Sequence, residues 1–156
     1  MNIMEGGLDD PRVVALLEIH VTRSRAETAP GSEHALDLAG LKAPDITFWS
    51  AWEGDALVGV GALKRLSADH GEIKSMHTAE AARGRGVGSA MLRHIIATAR
   101  RRGMSRLSLE TGSWPFFVPA RAMYARHGFV ECPPFGDYRL DPNSVFMTLA
   151  LEWADC

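Results

Sequence analysis

The run Arg83-Gly84-Arg85-Gly86-Val87-Gly88 stands between a strand-like segment over 72–78 and a helix-like one over 89–102. Backbone amides at a helix start have no intrahelical acceptor and lie at the positive end of the dipole. They form an anion site without needing a charged side chain. Glycines at alternate positions let a phosphate approach the main chain and allow dihedrals closed to other residues. Two arginines add charge that can fork onto phosphate oxygens. The segment is therefore read as a loop for a phosphate-bearing ligand, with a pyrophosphate as the best fit. A glycine-rich turn capping a surface helix is the competing reading, and the flanking strand, helix and paired arginines weigh against it.

Two familiar phosphate loops are excluded. A Walker loop ends in Gly-Lys-Ser/Thr, and Gly86-Val87-Gly88-Ser89 has no lysine. A dinucleotide fingerprint needs G-x-G-x-x-G, whereas this chain reads G-x-G-x-G followed by Ser89, Ala90 and Met91.

The chain as a whole bounds the answer. Its 156 residues fit one domain over 1–156, with 46% apolar and 23% charged residues as in globular proteins. A net charge of -2 gives no overall attraction to nucleic acid, so phosphate binding must be local. Cys132 and Cys156 are too few for a disulfide framework, and the six histidines are scattered without metal-ligand spacing, so no metal is expected. The first ten residues do not read as a signal peptide, and no segment has membrane-spanning length. The expectation is a soluble cytoplasmic protein.

Apolar spacing predicts a helix over 11–25 and a short second helix over 33–39, ending at Gly40. Strands follow over 47–53 and 56–66, joined by a tight turn at Gly54-Asp55. Gly59 and Gly61 mark a bulge or a close approach. After a turn over 67–71 comes the strand over 72–78, which closes an antiparallel meander. Val87, Met91, Ile95 and Ile96 give the next helix an apolar face, and Arg100, Arg101, Arg102 and Gly103 end it. The basic run is read as a solvated helix end. A strand over 106–110 follows this helix crossover and so lies parallel to 72–78. A helix over 119–127 and strands over 129–131 and 145–152 complete the order.

At this point the chain resembles the GNAT superfamily of N-acetyltransferases. The strand over 72–78 and the loop over 83–88 fit the family's strand, R-G-x-G-x-G and helix. Ala120-Arg121-Ala122-Met123-Tyr124-Ala125-Arg126-His127-Gly128-Phe129 fits its A-x-x-h-Y-x-x-x-G-F segment, where h is apolar. The resemblance covers nearly the whole chain and implies an α/β (α+β) fold. Its mixed, mostly antiparallel sheet would have a splayed parallel strand pair and flanking helices.

The resemblance also implies acetyl-CoA as acyl donor. The amides of Arg83, Gly84, Arg85, Gly86, Val87, Gly88 and Ser89 would hold its pyrophosphate. The backbone of Met76, His77 and Thr78 would pair with its pantetheine arm; otherwise these are ordinary strand residues. Tyr124 is the expected general acid, since a phenol stays protonated at neutral pH and can donate to the departing thiolate. The alternative is an amphipathic tyrosine packed at a helix edge. Glu72 is the leading base for the attacking amine, with Glu110, His77 and water as rivals. A surface ion pair with Lys74 or Arg65 would make Glu72 structural instead. Strict alternation places Glu72, Lys74 and Met76 on one strand face and Ile73, Ser75 and His77 on the other.

Three positions depart from the family pattern. Glu80 replaces a proline and Thr78 an apolar residue. Phe117 stands where an asparagine is common, which weakens the assignment of Tyr124 and leaves the phosphate loop undisturbed.

Acceptor choice falls to residues outside these motifs. The segments 111–117 and 133–139 are the candidates. Asp137 could hold an ammonium and Arg139 a carboxylate, although a solvated loop would look the same. With no acidic stretch to dock a basic peptide, a small-molecule amine is the favoured acceptor. A terminal-amine or lysine acetyltransferase and a non-catalytic acyl-CoA sensor are the alternatives. Relatives often pair as dimers, and nothing in the sequence marks an interface.

Overall fold

The computed structural model describes residues 1–26 and 38–151. Its strands are β1 (Asn2–Glu5), β2 (Ile46–Glu53), β3 (Ala56–Ser67), β4 (His70–Thr78), β5 (Arg106–Gly112), β6 (Val130–Glu131) and β7 (Ser144–Ala150). Its helices are α1 (Pro11–Ala26), α2 (Leu38–Leu41), α3 (Val87–Arg101) and α4 (Val118–Arg126). The strands form one seven-stranded sheet in the order β1-β2-β3-β4-β5-β7-β6. Only β4 and β5 are parallel; every other pair is antiparallel. This is the expected mixed α/β sheet.

Sequence patterning accounts for most elements. Pro11 starts α1, where a missing N–H is harmless, and the Asp10 carboxylate accepts from the Arg12 amide at 2.8 Å. Gly54 adopts φ +58 in the two-residue turn between β2 and β3. Gly103 takes φ +79 after α3, as a helix-ending glycine should. The edge strand β1 was not foreseen, because its four residues alternate too briefly to stand out. The expected helix over 33–39 lies mostly outside the described residues; what is described is the single turn α2.

Two cores cover the two sheet faces. On one, α3 packs Val87, Met91, Leu92, Ile95 and Ile96 against Trp49, Leu63, Ile73, Leu107, Leu109 and Met147. On the other, α1 packs Val13, Leu16 and Leu17 against Phe48, Val60 and Ala62. Full burial of one such aliphatic side chain stabilises by about 1.5–3 kcal/mol. Helix α3 sits unusually close to β3. A Cβ on Gly59 would come within 2.9 Å of Val87, and one on Gly61 within 2.8 Å of Met91. Close approach is thus one reason for these glycines.

The bulge is the other, and it corrects the alternation expected for β4. Ala62 pairs with Lys74 and Val60 with His77, so Ser75 and Met76 together face the single residue Gly61. Ser75 takes φ +56, the only positive φ at a non-glycine among the described residues. The extra residue reverses the phase of the strand. Met76 therefore packs with Ile73 in the α3 core, and His77 turns to the α1 face against His20. Glu72 and Met76 do not share a face.

Candidate functional site

Pairing between β4 and β5 runs only from His70/Arg106 to Glu72/Ser108, although both strands continue. Beyond Glu72 and Ser108 they separate, and the wedge between them opens into a cavity of about 610 Å³. Its wall includes Met76, His77 and Thr78 of β4, then Arg83, Gly84, Gly86, Val87, Gly88 and Ser89, then Tyr124 of α4, with Glu72 and Glu110 at the strand ends. Every residue expected for the donor and for catalysis except Arg85 lines this one space; Asp137 and Arg139, the acceptor candidates, do not. Arg85 instead forms an ion pair with Glu53 at 2.9 Å, which ties the loop to the end of β2.

The loop has the geometry of an anion cradle. Gly84 and Gly86 take φ +79 and +80, and a Cβ on either would meet no protein atom within 4 Å. Gly86 is the N-cap of α3; no side chain caps that turn, and no acidic residue lies in it. The first amides of α3 are therefore left for a ligand. Gly88 differs, since its Cβ would approach Met123 Sδ at 3.0 Å, so it serves the packing of α3 on α4. His127 Nε2 and Ser89 Oγ, 3.1 Å apart, join the same two helices. The residues present fit a diphosphate at the glycines and an extended arm along the separated edge of β4.

Tyr124 is 6% exposed and packs edge-on against Phe129, with ring centroids 5.8 Å apart. Burial, with a smaller contribution from the Glu110 charge, pushes its phenol above the ordinary value. It stays protonated throughout the physiological range. Phe117, at the departure from the family pattern, covers Gly112: a Cβ there would strike its ring. The Arg121 guanidinium donates to the Gly112 carbonyl and anchors α4 on the end of β5.

Glu72 is 4% exposed, so its pairing with Lys74 is not a surface ion pair. Its Oε2 accepts from Tyr138 Oη at 2.6 Å and from Lys74 Nζ at 3.1 Å. Tyr138 arrives from the segment between β6 and β7 and is wedged between Phe135 and Phe146. Burial and the Glu72 carboxylate raise its phenol. Sequence reasoning singled out this segment but missed the Tyr138–Glu72 contact. The clue in the sequence was the aromatic density at Phe135 and Tyr138.

His77 is committed elsewhere. Its Nδ1 lies 3.1 Å from His20 Nδ1 on α1, so one ring donates and the other accepts. Burial lowers both to about 4. Three residues on, Arg23 of α1 lies 5.3 Å from the Phe116 ring centroid, and both line the cavity. No group of three or more metal-ligating side chains occurs among the described residues. No described helix is long and apolar enough to cross a membrane.

Sheet, wedge and glycine loop together define an acetyltransferase fold. The family model described as "Acetyltransferase (GNAT) family" matches residues 13–129, and the chain belongs to this family. It is 52% identical over 151 residues to YsnE of Bacillus subtilis (strain 168), named an uncharacterized N-acetyltransferase, covering 97% of this chain and 100% of that one. It is 39% identical over 137 residues to a protein of Azospirillum brasilense named IAA acetyltransferase, covering 86% and 88%. A GNAT family acetyltransferase from Elizabethkingia anophelis, solved with acetyl-CoA bound, shares the fold with a TM-score of 0.70. That match has 18% identity and covers 96% of this chain and 97% of that one. The protein is an acetyltransferase.

Proposed function

We propose that the protein transfers the acetyl group of acetyl-CoA to the primary amine of a small molecule by direct attack. Tyr124 is the general acid and Glu72 the base. The observation that carries this reading is a single cavity joining an uncapped helix start, a separated strand edge, a protonated phenol and a buried carboxylate. A relative named IAA acetyltransferase supports a small-molecule substrate.

In this reading the amides of 83–89 hold the diphosphate, and the backbone of Met76, His77 and Thr78 positions the pantetheine arm. Bound acetyl-CoA supplies an activated thioester. Glu72 takes a proton from the incoming ammonium, directly or through water, so that the nitrogen lone pair can form the new C–N bond. Tyr124 gives its proton to sulfur as the C–S bond breaks; the nitrogen sheds its remaining excess proton to solvent as the amide forms, and solvent reprotonates Tyr124. Lys74 and Tyr138 hold the Glu72 carboxylate in place. Glu110 lines the same cavity and is the alternative base.

Free-thiol release from acetyl-CoA, measured against amino acids, polyamines, aminoglycosides and peptides, tests the proposal. Amine-dependent release that Tyr124→Phe abolishes is the expected result. Binding of acetyl-CoA with no release for any amine would make the protein a sensor.

A further inference from the structure

Glu72, Lys74 and Tyr138 border a second space as well. They also line a cleft of about 480 Å³ together with Lys64, Leu66 and residues 136–141. Lys64 is the register partner of Glu72 across β3 and β4, so the two side chains leave the same sheet face as neighbours. Three cations line the cleft: Lys64, Lys74 and Arg139. Lys74 is engaged with Glu72 at 3.1 Å. Lys64 and Arg139 form no ion pair among the described residues. Of the acids, Glu72 holds Tyr138 and Lys74, and Asp141 accepts from the Asn143 backbone and side-chain amides at 2.9 and 3.1 Å. That leaves Lys64 and Arg139 lining the cleft together with Asp137.

A ligand carrying one carboxylate and one ammonium complements this arrangement. We propose that the cleft is the carboxylate subsite of the acceptor, so that the enzyme acetylates an α-amino carboxylate. Lys64 and Arg139 take the carboxylate, Asp137 draws the ammonium, and the amine is delivered to Glu72. The reach is short, because Cβ atoms of directly opposed strand residues lie about 5 Å apart. The inference rests on the reading of Glu72 as the group that meets the amine.

The test compares thiol-release kinetics on α-amino acids, on their carboxamides and on amines without a carboxylate. It uses the wild type, the Lys64→Gln/Arg139→Gln double variant and Lys64→Arg. The wild type is expected to favour acid over carboxamide by about tenfold or more in kcat/KM, the worth of one charge-assisted hydrogen bond. The double variant should bring that ratio near one, chiefly through KM, and Lys64→Arg should retain the preference. Should the double variant fail to fold, Lys64→Gln alone carries the comparison, with the ratio falling by about threefold or more. Equal rates on acid and carboxamide in the wild type, or a ratio that the Gln variants leave unchanged, overturn the subsite. Turnover only of amines lacking a carboxylate also overturns it, while the acetyl-transfer reading stands. If acetyl-CoA binds by calorimetry and no amine releases thiol, that reading falls and the subsite with it.

Discussion

The glycine loop and the opposite end of the cavity are built in different ways. The loop is seven consecutive residues whose proposed role resides in main-chain amides and φ angles, with Gly84 and Gly86 at positive φ. The far end is assembled from side chains: Glu72 and Lys74 on β4, Tyr138 reaching back across 66 residues, and His20 and Arg23 on α1. A backbone site can be changed only by residues that alter the path of the chain, so it suits the part of a ligand that never varies. A side-chain site can be rebuilt one residue at a time, so it suits the part that distinguishes one family member from another.

The largest effect should follow from placing a side chain in the loop. Gly86→Val forces a β-branched residue to φ +80, in space that no protein atom fills. Acetyl-CoA affinity by calorimetry should fall by about a hundredfold or more, equivalent to about 2.7 kcal/mol. Gly88→Ala should act differently, because its Cβ meets the flexible Met123 side chain. It should lower the melting temperature by a few degrees, roughly the effect of 1 kcal/mol, and change affinity less than about fivefold. Equal losses at both positions would mean that the cradle is not where Gly86 places it.

Next in size is Tyr124→Phe. Loss of a general acid lowers kcat by about a hundredfold or more, and KM for acetyl-CoA should move by less than about twofold. Because burial raises the phenol above its ordinary value, it remains protonated as pH rises. The wild type should therefore show no loss of rate from Tyr124 up to about pH 10, the reference value for a phenol. A fall in rate between pH 8 and 9 that disappears in Tyr124→Phe would contradict this.

Glu72→Gln should lower kcat by about tenfold to a hundredfold, most strongly at low pH, where unprotonated amine is scarcest. Tyr138→Phe keeps the carboxylate and removes the donor 2.6 Å from it. Its effect should be smaller, about threefold to tenfold on kcat, together with about 1–2 kcal/mol of stability. If Glu72→Gln retains a pH–rate profile parallel to that of the wild type, the base is Glu110 or water. In that case the Glu72–Lys74–Tyr138 cluster is structural.

The same contrast decided what could be read in the sequence. Strand, loop and helix over 72–102 were legible because their signals are local: apolar period, glycine positions and a capping break. The turn at Gly54-Asp55 and the α3 face were legible for the same reason. The β4 bulge was not. A strand with an extra residue looks regular until its partner's register is known, and nothing local to Ser75-Met76 announces a phase change. Pairings such as Tyr138 with Glu72 and His20 with His77 connect residues 66 and 57 positions apart. Aromatic density can single out the Tyr138 segment in a single sequence, but not which distant residue it meets. Glu53 likewise gave no sign that it would take Arg85 away from the cavity.

The smallest predicted effect probes the α1 side of the far end. His20 and His77 titrate near 4 in the folded protein, against an ordinary value of 6.5, because burial penalises the charged ring. Between these values the unfolded chain binds protons that the folded chain does not. Stability is therefore complete above about pH 6.5 and declines as pH falls toward 4. The melting temperature should drop by several degrees across that window and more slowly below it. His77→Gln removes one of the two titrating rings and should flatten the slope in proportion. Because His77 sits at the bulge, just beyond the point where β4 and β5 part, protonating the pair should also loosen α1 from β4. Amide exchange on α1 should then accelerate between pH 6.5 and 4, while exchange on α3 should stay constant across the same range. Equal acceleration on both helices would tie the transition to the whole sheet instead of the histidine pair.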